Sequence, residues 1–229
     1  MKYLSHAIIE AFRLIITFDY EVLRITITSL KVSTIAILLA SIVGIPVGFL
    51  IGISKFKGRG FIITLLNTLM ALPTVVIGLF GYALISRQGP FGPLELLFTP
   101  TAMIIGQFVL ATPIIIALTA SATQGVDPRV RQTALVLGAN AVQSALTLFA
   151  EARFALMAAV VAGFGRVIGE VGASMMLGGN IKGYTRNLPT AIALETSKGE
   201  FGFGLALGII LMTVALSVNF LLRFLQSKR

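Results

Sequence analysis

Cysteine is absent from the 229 residues, and histidine occurs once, at His6. The first absence excludes disulfides and thiolate metal centres; the second excludes a histidine-rich metal cluster. Charge is scarce as well. Only 12% of the residues are charged, where a soluble domain carries about 25%. The nine acids face 18 Lys and Arg, for a net charge of +9. So few charges cannot cover the surface of a soluble domain. No Gly-x-x-x-x-Gly-Lys-Ser/Thr phosphate loop occurs, so ATP hydrolysis is not expected of this chain, and no catalytic triad or paired carboxylate set is visible. Neither an enzyme nor a cofactor is indicated.

What is present is apolar. Residues of the apolar set make up 56% of the chain, and the mean hydropathy is +0.96. A spanning helix needs about 20 apolar residues, because lipid leaves no partner for an unpaired backbone group. Five stretches qualify: Val32 to Ile53, Phe61 to Ile85, Thr101 to Ala122, Phe154 to Met176 and Phe203 to Leu222. The spacing predicts an all-α polytopic membrane protein forming one domain over residues 1–229. Before the first span, residues 1–24 read as an amphipathic helix on the bilayer surface. Glu10 and Arg13 interrupt its apolar run, so it is no cleavable signal.

The connections sort by charge. Lys55, Lys57, Arg59, Arg129, Arg131, Arg153, Arg223, Lys228 and Arg229 face only Asp127 and Glu151. In the other set, Lys2, Arg13, Arg24, Arg87, Lys182, Arg186 and Lys198 face six acids: Glu10, Asp19, Glu21, Glu95, Glu195 and Glu200. The first set sits tightly against the span ends and reads as cytoplasmic. Five crossings then place the N-terminus outside and the C-terminus in the cytoplasm of an inner (plasma) membrane protein. Clusters between apolar runs, rather than one basic stripe, speak for lipid headgroups and against nucleic acid.

Within the spans, Gly165, Gly169 and Ala173 are spaced by four, as are Ala155, Ala159 and Gly163, which suits close helix approach. Pro46, Pro73 and Pro113 interrupt three spans, as bends or as the kinks of helices lining a path. Five helices offer few surfaces for a pore, so a symmetric dimer is the economical arrangement.

The segment Gly125 to Arg153 is too polar at its start for lipid and too apolar for a solvent loop. Asp127 followed by Pro128 is a helix start. Val130, Ala134 and Leu137 mark one face of a short helix, Gly138 permits a sharp turn, and Val142, Leu146 and Phe149 open a second apolar face. Two such helices either dock into a partner or fold back on their own bundle.

Here the chain resembles the permease subunits of ABC importers. Their signature runs Glu-Ala-Ala, three residues, Gly, nine residues, a branched apolar residue, one residue and Leu-Pro. The matching positions are Gln132, Thr133 and Ala134, then Gly138, then Leu148, then Ala150 and Glu151. The first Glu is replaced by Gln and the closing Leu-Pro is missing. Thr28 to Gly52 and Gly165 to Phe201 are similar to the molybdate, sulfate and tungstate permeases. The tungstate branch is matched most closely, through Thr112 to Asn140, Gly169 to Gly172 and Ala193 to Gly199.

The resemblance implies the five-helix core of a type I importer, working as a homodimer that carries an oxyanion. Tungstate is expected first, with molybdate or sulfate as alternatives. It further implies cytoplasmic ATP-binding subunits, coupled through Asp127, Arg129, Arg131, Gln132, Ala134, Gly138 and Leu148, and an extracytoplasmic oxyanion-binding protein. A membrane scaffold without transport is the contrasting reading, and it leaves Arg166, Glu170 and the three prolines unexplained.

Four residues are candidates for the substrate path. Arg166 and Glu170 stand four apart in the fourth span, either as an internal ion pair or as part of the path. Asn180 and Thr185 flank Gly178 to Gly183, where backbone N–H groups suit a tetrahedral oxyanion or an external carrier protein. Arg24 and Lys31 are read as snorkelling towards headgroups.

Overall fold

The computed structural model describes residues 2–227, with side chains from His6 to Gln226. The side chains of Lys2, Lys228 and Arg229, used above to sort the connections, lie outside the described residues. Ten α-helices follow in order: α1 (Lys2–Ile16), α2 (Tyr20–Ile53), α3 (Arg59–Met70), α4 (Thr74–Ile85), α5 (Pro100–Gln124), α6 (Pro128–Val136), α7 (Ala141–Ile168), α8 (Gly172–Gly178), α9 (Leu188–Lys198) and α10 (Phe201–Ser227). A three-residue 3-10 turn, Gly92–Leu94, lies between α4 and α5.

α2 is capped by Asp19, whose carboxylate accepts from the N–H groups of Glu21 and Val22. Its 34 residues reach about 51 Å at 1.5 Å per residue, well beyond the ~30 Å hydrocarbon layer. At its far end the Arg59 guanidinium donates to the carbonyl of Gly52 at 2.8 Å, which suits the negative end of the helix dipole. Pro46 and Pro113 stay inside continuous helices. Pro73 does not. The second predicted span is two helices, α3 and α4, bent by 91°. Proline cannot donate a backbone bond and disfavours helical backbone in the residue before it, so Ala71, Leu72 and Pro73 form the corner.

Close packing fixes the relative directions. Gly44 lies on Ile115, Gly48 on Ile116 and Thr119, and Gly52 on Thr123. Both numberings rise together, so α2 and α5 run parallel. The chain between them must return across the layer, and α3–α4 is that return: a bent span rather than a loop leaving by the side it entered. Gly163 of α7 meets Ile37 and Ile115, while Gly178, past the end of α7, meets Met103 near the start of α5. α7 therefore runs antiparallel to α5. One end of the bundle carries the α2–α3 connection, α6 and the start of α7; the other carries α1, the α4–α5 connection and α9.

α1 packs on α10 through its small side chains. Ala7 and Ala11 are buried, Glu10 sits against Gly202, and Ile9, Phe12 and Ile16 are exposed. The surface helix expected over 1–24 ends at Ile16, and residues from Tyr20 onward already belong to α2. The core joins α2, α5, α7, α8 and α10 around Ile37, Leu110, Ile115, Phe164 and Val167. A second cluster, with Val22, Ile25, Leu188 and Leu207, ties α2, α9 and α10 together at the α1 end.

Candidate functional site

At one end of the bundle stands α6. Asp127 caps it, its carboxylate accepting from the Arg129 N–H at 2.8 Å and meeting the Arg129 side chain at 3.3 Å. Such a cap is worth about 1 kcal/mol. The helix closes in a Schellman turn. Gly138 N–H donates to Leu135 O and Ala139 N–H to Ala134 O, with Gly138 at φ +86°. Asn140 and Gln143 then form a capping box that starts α7. The expected second short helix is thus the opening turns of the 28-residue α7. No side chain of α6 is buried, and Leu135, Val136 and Leu137 are 49%, 87% and 81% exposed. Arg131 and Gln132 point to solvent and Ala134 is half-buried, whereas Leu148 is buried in the bundle. The expected apolar stripe of Val130, Ala134 and Leu137 is therefore split: the first two lean inward, and Leu137 stands out with Val136.

The Arg166–Glu170 pair does not form. α7 stops at Ile168, and Glu170 falls in the break before α8, so the two do not share a helical face. Glu170 is buried, and its carboxylate accepts the N–H of Ala173 at 3.1 Å, serving the start of the short α8. Arg166 occupies the last turn of α7, is exposed, and has no ion pair among the described residues. Gly165 has no heavy atom within 4 Å of a would-be β-carbon, and Gly169 meets only the Gly165 carbonyl at 3.9 Å. Of the small residues singled out in the sequence, Gly163 and Ala173 pack inside the chain, while Gly165 and Gly169 lie open beside Arg166.

The outer loop is internally bonded. Thr185 is fully buried; its hydroxyl accepts the Ile181 N–H and donates to the Gly178 carbonyl. The N–H groups of Gly179, Tyr184, Thr185 and Arg186 are also taken within the chain, so Gly179 and Ile181 are spent among the expected donors of Gly178 to Gly183. Asn180 reaches Thr190 O at 3.4 Å and leaves its own carbonyl oxygen buried without a partner among the described residues.

Two clusters escaped the sequence reading. Gln107 of α5 is 1% exposed, donates to Ser174 of α8 at 3.5 Å, and has an unpartnered side-chain carbonyl. At the α1 end, Glu21 holds Lys182 at 2.7 Å and Arg186 at 3.3 Å; Arg186 also approaches Glu195 at 3.7 Å, which holds Lys198 at 3.0 Å. The sequence reading sorted these five charges with the outer connections, taking Arg186 further as a donor for an oxyanion, and paired none of them.

A bundle of parallel and antiparallel spans, one of them bent, with an exposed helix closed at one end by a left-handed glycine, defines a multi-pass membrane protein. Residues 44–229 match the family described as binding-protein-dependent transport system inner membrane component, and the chain belongs to that family. It is a transport permease subunit of the inner membrane, not the ATP-hydrolysing one. The chain is 37% identical to the tungstate uptake system permease protein TupB of Peptoclostridium acidaminophilum, over all of both chains. It is 40% identical to the Campylobacter jejuni TupB, covering 96% of this chain and 92% of that one. Identity is likewise 40% to a probable anion ABC transporter permease protein of Haloferax volcanii, over 85% and 86%. In fold it is similar to a chain of the inward-facing MetNI methionine ABC transporter, with a TM-score of 0.74 at 16% identity, covering 91% and 96%. The type I importer architecture follows.

Proposed function

We propose that this chain is the permease of a tungstate importer and works as a homodimer with cytoplasmic ATP-binding subunits and an extracytoplasmic oxyanion-binding protein. The observation that carries the coupling role is the exposure of Leu135, Val136 and Leu137 on a helix that buries none of its own side chains. An apolar surface of this kind at the polar end of a bundle marks a protein-interaction site. The tungstate-named relatives support the cargo, and the denser basic clusters at the α6 end support its placement in the cytoplasm, with the N-terminus outside.

The path runs along the open face of α7. Gly163 lies beside Ile37, within the apolar part of α2, and Arg166 stands about 4.5 Å further along the helix. A guanidinium at that depth is costly against lipid tails. A second copy placed against Gly165 and Gly169 would take it from lipid into a shared, hydrated seam. There it attracts a dianion, while the negative end of α7 beside it keeps the attraction weak enough for release.

Reconstitution with the ATPase and binding protein tests both parts. ATP-dependent tungstate uptake, exceeding that of molybdate and sulfate, is the expected result, and Arg166→Gln should lower uptake while the dimer persists. No uptake of any of the three anions by the complete assembly would refute the transport reading. Normal uptake by Arg166→Gln would remove this residue from the path.

A further inference from the structure

From the outer end of α2 we infer that a second anion site lies apart from the α7 path: a pocket that takes a tetrahedral oxyanion or phosphate group between Tyr20, Arg24 and Thr28 of α2 and Lys182 and Arg186 of the outer loop. The pocket encloses about 310 Å³, and Glu21, Ile25 and Gly183 complete its wall. It rests on the proposed orientation only for which side of the membrane it faces.

Charge makes the case first. Arg24, Lys182 and Arg186 line the space against the single carboxylate of Glu21. Glu21 is committed to Lys182 and Arg186, and Arg186 is shared with Glu195, itself engaged by Lys198. The linked group holds three cations against two carboxylates, and Arg24 stands beside it as a fourth cation. Arg24 has no ion pair among the described residues. Its exposed side chain lies over the outer loop, with Nη1 3.0 Å from where a β-carbon of Gly183 would stand. Gly183, at φ +72°, lets the loop backbone approach that closely.

The second argument is an orphaned donor. The Arg186 side chain is 10% exposed, and its Nε–H is buried without a hydrogen-bond partner among the described residues. A buried guanidinium N–H left unmatched is costly, and an anion oxygen would satisfy it with a charge-assisted bond. The Tyr20 hydroxyl adds a neutral donor to the lining, while that of Thr28 is committed to the Arg24 carbonyl at 2.9 Å. On the other side of Arg186 the cleft sets Glu10, Glu21, Glu195 and Glu200 against Lys182, Arg186 and Lys198, a less favourable balance for an anion than on the α2 side.

One chemistry has two sources here: the free oxyanion, and the phosphate of a lipid headgroup at the membrane border. The test places the permease dimer in phosphatidylcholine nanodiscs, open on both faces, and measures bound tungstate by equilibrium dialysis. Saturable binding is expected, weakened at least tenfold in Arg24→Gln and Lys182→Gln and kept in Arg24→Lys, which controls for misfolding. A parallel arm uses nanodiscs containing phosphatidylglycerol. If the headgroup is the occupant, wild type retains this lipid through delipidation, Arg24→Gln loses it, and the lipid suppresses tungstate binding. Equal tungstate binding and equal lipid retention in all variants overturn the site. So does an Arg24→Gln effect limited to docking of the binding protein. Arg166→Gln separates this site from the path: tungstate lost there and kept in Arg24→Gln assigns the ion to the path and refutes the pocket. Tungstate binding in the pocket without uptake by the assembled transporter would instead refute the transport reading alone.

Discussion

A β-carbon added to Gly48 would stand 2.5 Å from the carbonyl oxygen of Ile116 and 2.7 Å from the Thr119 Cβ. The backbones of α2 and α5 are in contact there, with no side chain between them. Gly44 and Gly52, one turn to either side, instead receive the side chains of Ile115 and Thr123. In lipid, where no hydrophobic force drives helices together, this contact is the main bond between the two parallel spans.

Gly48→Ala should therefore destabilise the chain by about 1–3 kcal/mol, the range for overpacking a closed contact. Gly208→Ala is the control, since nothing lies within 4 Å of its added carbon. Thermal unfolding in detergent should show a lowered midpoint for the first and none for the second.

Glu170 and Arg166 should behave as strangers. Glu170→Ala strips the acceptor from the Ala173 N–H and should harm stability, while Glu170→Gln, which keeps an acceptor oxygen, should do so less. With no direct contact, the Arg166→Ala and Glu170→Ala effects should add to within about 0.5 kcal/mol in a double-mutant cycle. Recovery of stability in the double mutant would restore the ion pair that the helix break removes.

Gly138 sits in the left-handed region, where a β-carbon costs about 1–2 kcal/mol. Gly138→Leu should disturb the turn between α6 and α7 while leaving the spans inserted, because no neighbour lies within 4 Å of the site. Loss of ATPase association with retained dimerisation is the expected outcome; normal uptake would remove the coupling role. Gly138→Asn, which tolerates this backbone, should be milder.

Thr185→Val removes both the donor to Gly178 and the acceptor of the Ile181 N–H. A buried hydroxyl with two partners is expected to cost about 1–3 kcal/mol when lost. Faster proteolysis of the segment from Gly178 to Asn187, against unchanged cleavage elsewhere, would register the loosened loop.

Orientation is open to direct labelling in a chain without cysteine. Ser197→Cys lies at the α1 end and Lys57→Cys at the α6 end, both exposed. A membrane-impermeant thiol reagent should label the first and spare the second in cells with intact inner membranes. The reverse pattern would invert the topology.

What could be read without coordinates was whatever depends on composition along the chain. Long apolar runs demand paired backbones, so the five crossings and the α6 segment between the third and fourth stood in the sequence, as did the Asp127 cap and the Gly138 turn. Those are local events, governed by neighbours within a few residues. Gly44, Gly48 and Gly52 carried a spacing as clear as that of Gly165, Gly169 and Ala173, yet spacing alone does not say which stripe is already covered within one chain. Tertiary packing decides it: the first stripe is filled by α5, and two of the three residues of the second, Gly165 and Gly169, stay open beside Arg166. An Arg166–Glu170 ion pair was one of two readings, since four residues on an unbroken helix bring two charges together. The break after Ile168 turned the Glu170 carboxylate to Ala173 instead. The assembly of Glu21, Lys182, Arg186 and Glu195 had no sequence signature, because a bond across the fold depends on how separate helices are brought side by side and not on the distance along the chain.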